Sequence, residues 1–144
     1  MTVTRGGITF AGYVFDTYAW IDYLAGGSGA KKVDELLGKQ SSRLITPATV
    51  IAELTEKLLR EGIDQSKIVQ VIKFVASATK IYRCDEKVAY QAGELDFAEK
   101  KKTKGWGMLD SLNYAVAIVL RCIFVTGDPH FKDFKRDVIF LRKV

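Results

Sequence analysis

Long hydrophobic runs are missing from this sequence of 144 residues. None approaches the ~20 apolar residues that a membrane-spanning helix needs, which argues against a membrane protein. The stretch MTVTRGGITF has no long apolar segment and no evident cleavage site, so no secretory signal is expected and the chain reads as cytoplasmic. Cysteine is scarce. Cys84 and Cys122 lack metal-ligand spacing, and both fall in expected buried strands, where they read as inert core thiols. A disulfide is not expected in a cytosolic chain. The single histidine, His130, has no suitable neighbours for a Ser–His–Asp hydrolase, and reads as a packing or capping residue. No glycine-rich phosphate loop occurs. Internal repeats, low-complexity tracts and inter-domain linkers are absent too.

What is present is an ordinary globular composition, 48% apolar and 27% charged. The length suits one domain with a sizeable core. The net charge of +5 favours a polyanionic partner, RNA or DNA, but equally serves solubility. Its distribution is more informative. Lys100, Lys101, Lys102 and Lys104 stand together in EKKKTK, followed by Gly105-Trp106-Gly107 and then Asp110. They either flank a nucleic-acid path or form a solvated helix end, where cations suit the dipole. Trp106 reads as a core or interface residue, with base stacking as the alternative.

Residues 105–131 organise the rest. Met108, Leu112, Ala115, Val116, Val119 and Leu120 recur at helical spacing, with Asp110 in the first turn. The apolar run 122–125 then reads as a strand covered on both faces, ended by the turn signal Thr126-Gly127-Asp128-Pro129. Earlier strands are expected at 13–15, 43–45 and 81–84, and a last one at 138–141. Helices are expected at 17–24 and 31–37. Thr46 and Pro47 read as the N-cap and first position of another, which Gly62 ends. Asp64 and Asp85 read as caps of two more; the second carries Val88, Ala89, Ala92, Leu95 and Phe97 inward. Residues 1–12 form an arm or an extra edge strand. Alternating strands and helices predict a three-layer α/β/α fold around a mainly parallel sheet of about five strands.

Asp16, Glu53, Asp110 and Asp128 occupy special places in this pattern: after the first strand, within the helix after the second, at a helix start, and after a later strand. Singly, each is explained as a cap, a turn residue or a surface acid. Together they are expected at the carboxyl edge of one sheet, where ligands of open α/β folds bind. Two carboxylates ~4 Å apart repel by roughly 4 kcal/mol at an effective dielectric near 20. Such a group must hold protons or bind hard cations. An oxygen-only set suits Mg²⁺ or Mn²⁺ and not a typical zinc site. Divalent-metal chemistry on a phosphodiester agrees with the basic surface.

YVFDTYAWIDYL, ITPATVIAELTEKL, LDSLNYAVA and FVTGDPHF resemble, in this order, the four acidic motifs of PIN-domain ribonucleases, and most the small single-domain toxins of VapC type. The resemblance runs from Tyr13 nearly to the end, so 13–144 is taken as the nuclease domain. It implies Asp16, Glu53, Asp110 and Asp128 as the catalytic, metal-binding quartet, with Thr17 and Thr126 at accompanying hydroxyl positions. It implies Mg²⁺-dependent cleavage of single-stranded RNA, a small antitoxin partner and a homodimer, for which Trp20, Tyr23 and Leu24 are candidate contacts. Asn113, one turn after Asp110, is a further candidate for orienting a carboxylate. Glu94 reads as a surface residue. Ser111, Asn113-Tyr114 and Gly127 depart from the commoner pattern, which bears on substrate choice. Alternative readings are a PIN nuclease of RNA processing and a non-catalytic RNA-binding or scaffold module. An adjacent reading frame for a DNA-binding antitoxin would favour the toxin. An aspartyl-phosphate hydrolase is disfavoured, because Tyr18 stands where a second acid is needed.

Overall fold

In the computed structural model, which describes residues 2–142, the alternation becomes a five-stranded parallel sheet with helices on both faces. A separate hairpin comes first, β1 (Val3–Arg5) paired antiparallel with β2 (Ile8–Phe10). Its turn is Gly6-Gly7, with φ of 57° and 78°. Two positive φ values are what a tight hairpin of this hand requires. Arg5 fastens it to the body by donating to the carbonyl of Val138 at 2.6 Å.

The body runs β3 (Gly12–Phe15), α1 (Thr17–Leu24), α2 (Ala30–Leu37), β4 (Arg43–Pro47), α3 (Ala48–Arg60), α4 (Gln65–Ala78) and β5 (Lys80–Tyr82). It continues through α5 (Glu86–Glu99), α6 (Met108–Leu120), β6 (Ile123–Thr126), a 3-10 turn (Pro129–Phe131) and β7 (Val138–Phe140). The strand order is β5-β4-β3-β6-β7, all parallel. From β3 the chain moves outward one way through β4 and β5, then returns to add β6 and β7 on the other side. The order therefore reverses between β3 and β6, which is where open α/β sheets place their ligands.

Successive strand residues face opposite layers. Tyr13 and Phe15 pack with Ile123 and Val125 against Trp20, Val33, Leu36, Val50, Leu54 and Val75 from α1 to α4. Val14 and Phe124 face the other way, onto Val88, Ala92, Tyr114, Ala115 and Phe131. Trp106 belongs to this second core, its ring 4.9 Å from that of Phe131, so it is no stacking platform for a base.

Several local expectations are corrected. Thr46 is not an N-cap. β4 extends through Pro47, and the buried Thr46 hydroxyl accepts from Trp20 Nε1 at 3.1 Å and meets Thr79 Oγ1 at 2.6 Å. Those buried partners hold it in the sheet. Cys84 is exposed, because the edge strand β5 ends at Tyr82 and the chain leaves the sheet to start α5; Cys122 is buried as expected. Burial pushes the Cys122 thiol up to about 11. Phe97 is 69% exposed. The buried stripe of α5 is Val88, Ala92 and Asp96, and Phe97 lies one residue past it. Met108, at the free end of α6, is also exposed. Trp20 is wholly buried and cannot contact a second copy, whereas Leu24 is exposed. Tyr23 is half-buried, stacked on Phe74 and donating to Asp34 at 2.9 Å.

Candidate active site

Asp16 follows β3 and caps α1. Its Oδ1 accepts the Ala19 N–H at 2.9 Å, which satisfies one orphan donor of the helix. Its Oδ2 accepts from the hydroxyl of Thr126. Thr126 is the last residue of β6, the neighbouring strand, and its oxygen also accepts the Asp128 N–H at 3.0 Å. One buried hydroxyl thus links the first acid to the last across the reversal point of the sheet.

Glu53 projects from α3. Its Oε1 accepts from Thr17 Oγ1 at 2.7 Å and from Asn113 Nδ2 at 2.6 Å. Asn113 accepts in turn from the Thr49 hydroxyl. The chain Thr49–Asn113–Glu53–Thr17 spans α3, α6 and α1 and fixes the carboxylate from both sides. Thr17, Thr126 and Asn113 are accordingly seated as carboxylate partners. Asp110, in the first turn of α6, accepts the Gly107 N–H at 2.9 Å. The same oxygen lies 3.0 Å from His130 Nδ1, and the two share one hydrogen bond. His130 stands on the 3-10 turn after Asp128, whose carboxylate accepts the His130 N–H at 2.9 Å.

The ligand atoms of Asp110, Asp128 and His130 all lie within 4.8 Å of one another. Asp16 and Glu53 stand outside this group; Asp16 feels the charges of both Asp128 and Glu53 and so links Glu53 to it. Burial, the largest cause, pushes the Asp16 carboxyl from 3.8 up to about 8; its two hydrogen bonds oppose this, and the charges of Asp128 and Glu53 reinforce it. Asp110 is raised too, first by burial and further by Asp128, against its bonds to Gly107 and His130. Asp128 therefore acts on both Asp16 and Asp110. Removing water from carboxylates and crowding them both disfavour the charged form. A divalent cation reverses both effects. The carboxylates suit Mg²⁺ or Mn²⁺, and the His130 imidazole stands beside them against Asp110.

His130 is the site residue that the sequence reading underrated. Its separation of two from Asp128 is the linear signal, but only the 3-10 turn brings the ring onto Asp110. Two grooves flank the centre. One, of about 400 Å³, is lined by Thr17, Tyr18, Asp22, Glu53, Lys57 and Asp128 among others. The other, of about 440 Å³, holds Lys102, Lys104, Lys132 and His130. Lys132 was not singled out from the sequence. Of the remaining lysines, Lys100 pairs with the buried Asp96 at 2.8 Å, and Lys101 sits over the Phe97 ring at 3.8 Å. Glu94 is exposed on α5.

Among the described residues, no helix is long and apolar enough to cross a membrane. Comparison with curated proteins finds no match. Solved structures of the same fold are plentiful at low identity. A toxin–antitoxin complex from Klebsiella pneumoniae superposes with a TM-score of 0.68 at 16% identity, covering 92% of this chain and 99% of that one. VapBC2 from Rickettsia felis, bound to a DNA fragment from its promoter, gives 0.69 at 19% identity, with 89% and 96% covered. VapC20 from Mycobacterium tuberculosis, a sarcin-ricin loop cleaving toxin, gives 0.57 at 16%, with 74% and 82% covered. The PIN domain family model matches residues 13–137, which takes in all four acids. The chain belongs to the PIN domain family.

Proposed function

We propose that this protein is a divalent-metal-dependent endoribonuclease that hydrolyses phosphodiester bonds in single-stranded RNA, and that it is the toxin of a toxin–antitoxin pair. The observation that carries the reading is that Asp16 and Asp128 lie just past the ends of β3 and β6, with Asp110 and Glu53 beside the same edge. Asp110, Asp128, Asp16 and Glu53 would hold Mg²⁺, or Mn²⁺ in its place. When bound, such an ion lowers the pKa of a water and offsets charge on a phosphate oxygen. The protein's own part is orientation. Thr126 holds Asp16, Thr17 and Asn113 hold Glu53, and His130 holds Asp110. Second partners of this kind raise the precision of a metal site. Lys102, Lys104 and Lys132 would attract RNA phosphates beside it, with Lys100 and Lys101 behind them; such contacts position a strand without reading its bases.

The antitoxin assignment rests on the fold shared with the Klebsiella and Rickettsia complexes. With it go a cytoplasmic location and a homodimer, in which the exposed Leu24 is a candidate contact. Light scattering that finds only monomer at high concentration would remove the dimer. The activity is tested by incubating purified protein with single-stranded RNA in Mg²⁺ or in chelator and mapping the new ends. Cuts are expected in Mg²⁺ alone, and none from Asp128→Asn. Cleavage that survives both chelator and that variant would contradict the proposal.

A further inference from the structure

We propose that Tyr18 forms a stacking subsite for the nucleobase next to the scissile phosphate; this rests on the nuclease reading above. Tyr18 follows Asp16 and Thr17 on the first turn of α1, belongs to neither buried core, and remains partly exposed. Its ring lines the groove that contains Glu53 and Asp128. It lies directly on the backbone before Asp128. A Cβ placed on Gly127 would stand 2.2 Å from Tyr18 Cε1 and 2.5 Å from Cδ1. Tyr18 thus fills the space that a side chain at position 127 would take, and only glycine permits the contact. The Arg142 guanidinium lies 5.9 Å from the ring centroid, within the range in which a cation is drawn to an aromatic face.

The two grooves beside the acids differ in chemistry. The groove beyond His130 sets Lys102, Lys104 and Lys132 against Glu99 and Asp133, a net positive lining that suits phosphates. The Tyr18 groove sets Asp22, Glu53 and Asp128 against one cation, Lys57, which pairs with Glu61 at 3.3 Å; this net negative lining repels phosphates and is joined by the apolar Ile21 and Ala25. Its fitting occupant is an uncharged flat group joined to a strand whose charge runs elsewhere. A base from single-stranded RNA is such a group, and stacking on an aromatic ring is tolerant of sequence.

The test uses the full chain carrying Asp110→Asn, expected to bind without cutting, and single-stranded RNA oligonucleotides with 2-aminopurine at successive positions. One position is expected to lose fluorescence on binding. Adding Tyr18→Leu should abolish that quenching and weaken affinity at least about fivefold, the lower bound for losing one stacked base. Tyr18→Phe, which keeps the ring, should retain the quenching. Equal quenching and affinity in Tyr18→Leu would overturn the proposal, as would loss of quenching in Tyr18→Phe. The two readings fail separately. RNA cut by the unmodified protein in Mg²⁺ with no quenched position sinks the stacking subsite alone. Quenching that depends on Tyr18, without any cleavage by the unmodified protein, sinks the nuclease alone.

Discussion

At the scale of the residue, Asp16 holds two jobs that pull apart. It caps α1 and it sits, buried, among like charges. With no metal bound, its folded pKa lies above its ordinary one. Between about 4 and about 8 the folded protein keeps a proton that the unfolded chain releases, so stability falls as pH rises through that window. Asp110 shifts in the same direction and adds to the effect. Asp16→Asn retains a capping oxygen and has no charge to bury. In chelator it should match or exceed the unmodified protein in thermal stability at pH 9 and lose part of the pH dependence. Asp16→Ala also discards the bond to the Ala19 N–H and should be less stable than Asp16→Asn by about 0.5–2 kcal/mol. Melts at pH 5, 7 and 9 separate these outcomes; an Asn variant that loses as much as the Ala variant at pH 9 would point to a purely structural aspartate. Asp16, Asp110 and Asp128 could be picked out from the sequence because each sits at a boundary that turn and cap chemistry marks, whereas Glu53, inside α3, stood out only through the motif around it. His130 could not be weighed that way, since its contact with Asp110 depends on how one short turn folds back across α6.

At the scale of the element, α5 and α6 are clamped by a polar chain in the core. Trp106 Nε1 donates to Ser111 Oγ at 2.7 Å, Ser111 donates to Asp96 at 3.0 Å, and Asp96 pairs with Lys100. The Lys100 ammonium is the main reason the Asp96 carboxyl is held below its ordinary value. The chain braces the Gly105-Trp106-Gly107 loop, and Gly107 donates to Asp110, so the brace reaches the site. Ser111→Ala leaves the indole N–H and a buried carboxylate oxygen without a partner, and is expected to cost about 1–3 kcal/mol in urea unfolding, with a shift in tryptophan emission. A loss under ~0.5 kcal/mol would mean that the brace is dispensable. Period and composition made the order of strands and helices readable, but not this contact, because Ser111 and Asp96 join only after two helices pack. The same limit explains Thr46. Its position before proline looks like a cap, yet Trp20 and Thr79 supply tertiary bonds that keep it in β4.

At the scale of the molecule, the proposed function gives the excess of basic residues a place to act. Lys102, Lys104 and Lys132 line one groove beside His130, and Lys101 is held on Phe97. Each phosphate contact removed should flatten the log–log salt dependence of single-strand binding by ~0.7, so Lys104→Ala with Lys132→Ala should lower the slope by about 1.4, and Lys101→Ala by less. The slope is measured on the Asp110→Asn protein, to keep binding apart from turnover; an unchanged slope in the double variant would leave the basic excess to solubility. Everything else depends on whether the acidic edge gathers a metal ion. The most direct measurement is a Mn²⁺ titration followed by electron paramagnetic resonance, in which bound ion loses the six-line signal of the free one. The unmodified protein should remove Mn²⁺ from solution, Mg²⁺ should restore the signal by competition, and Asp128→Asn should bind at least about tenfold more weakly, the lower bound for losing a partner of a metal site. Mn²⁺ that stays free in the presence of the unmodified protein, or that binds the Asp128→Asn protein equally well, would contradict the account.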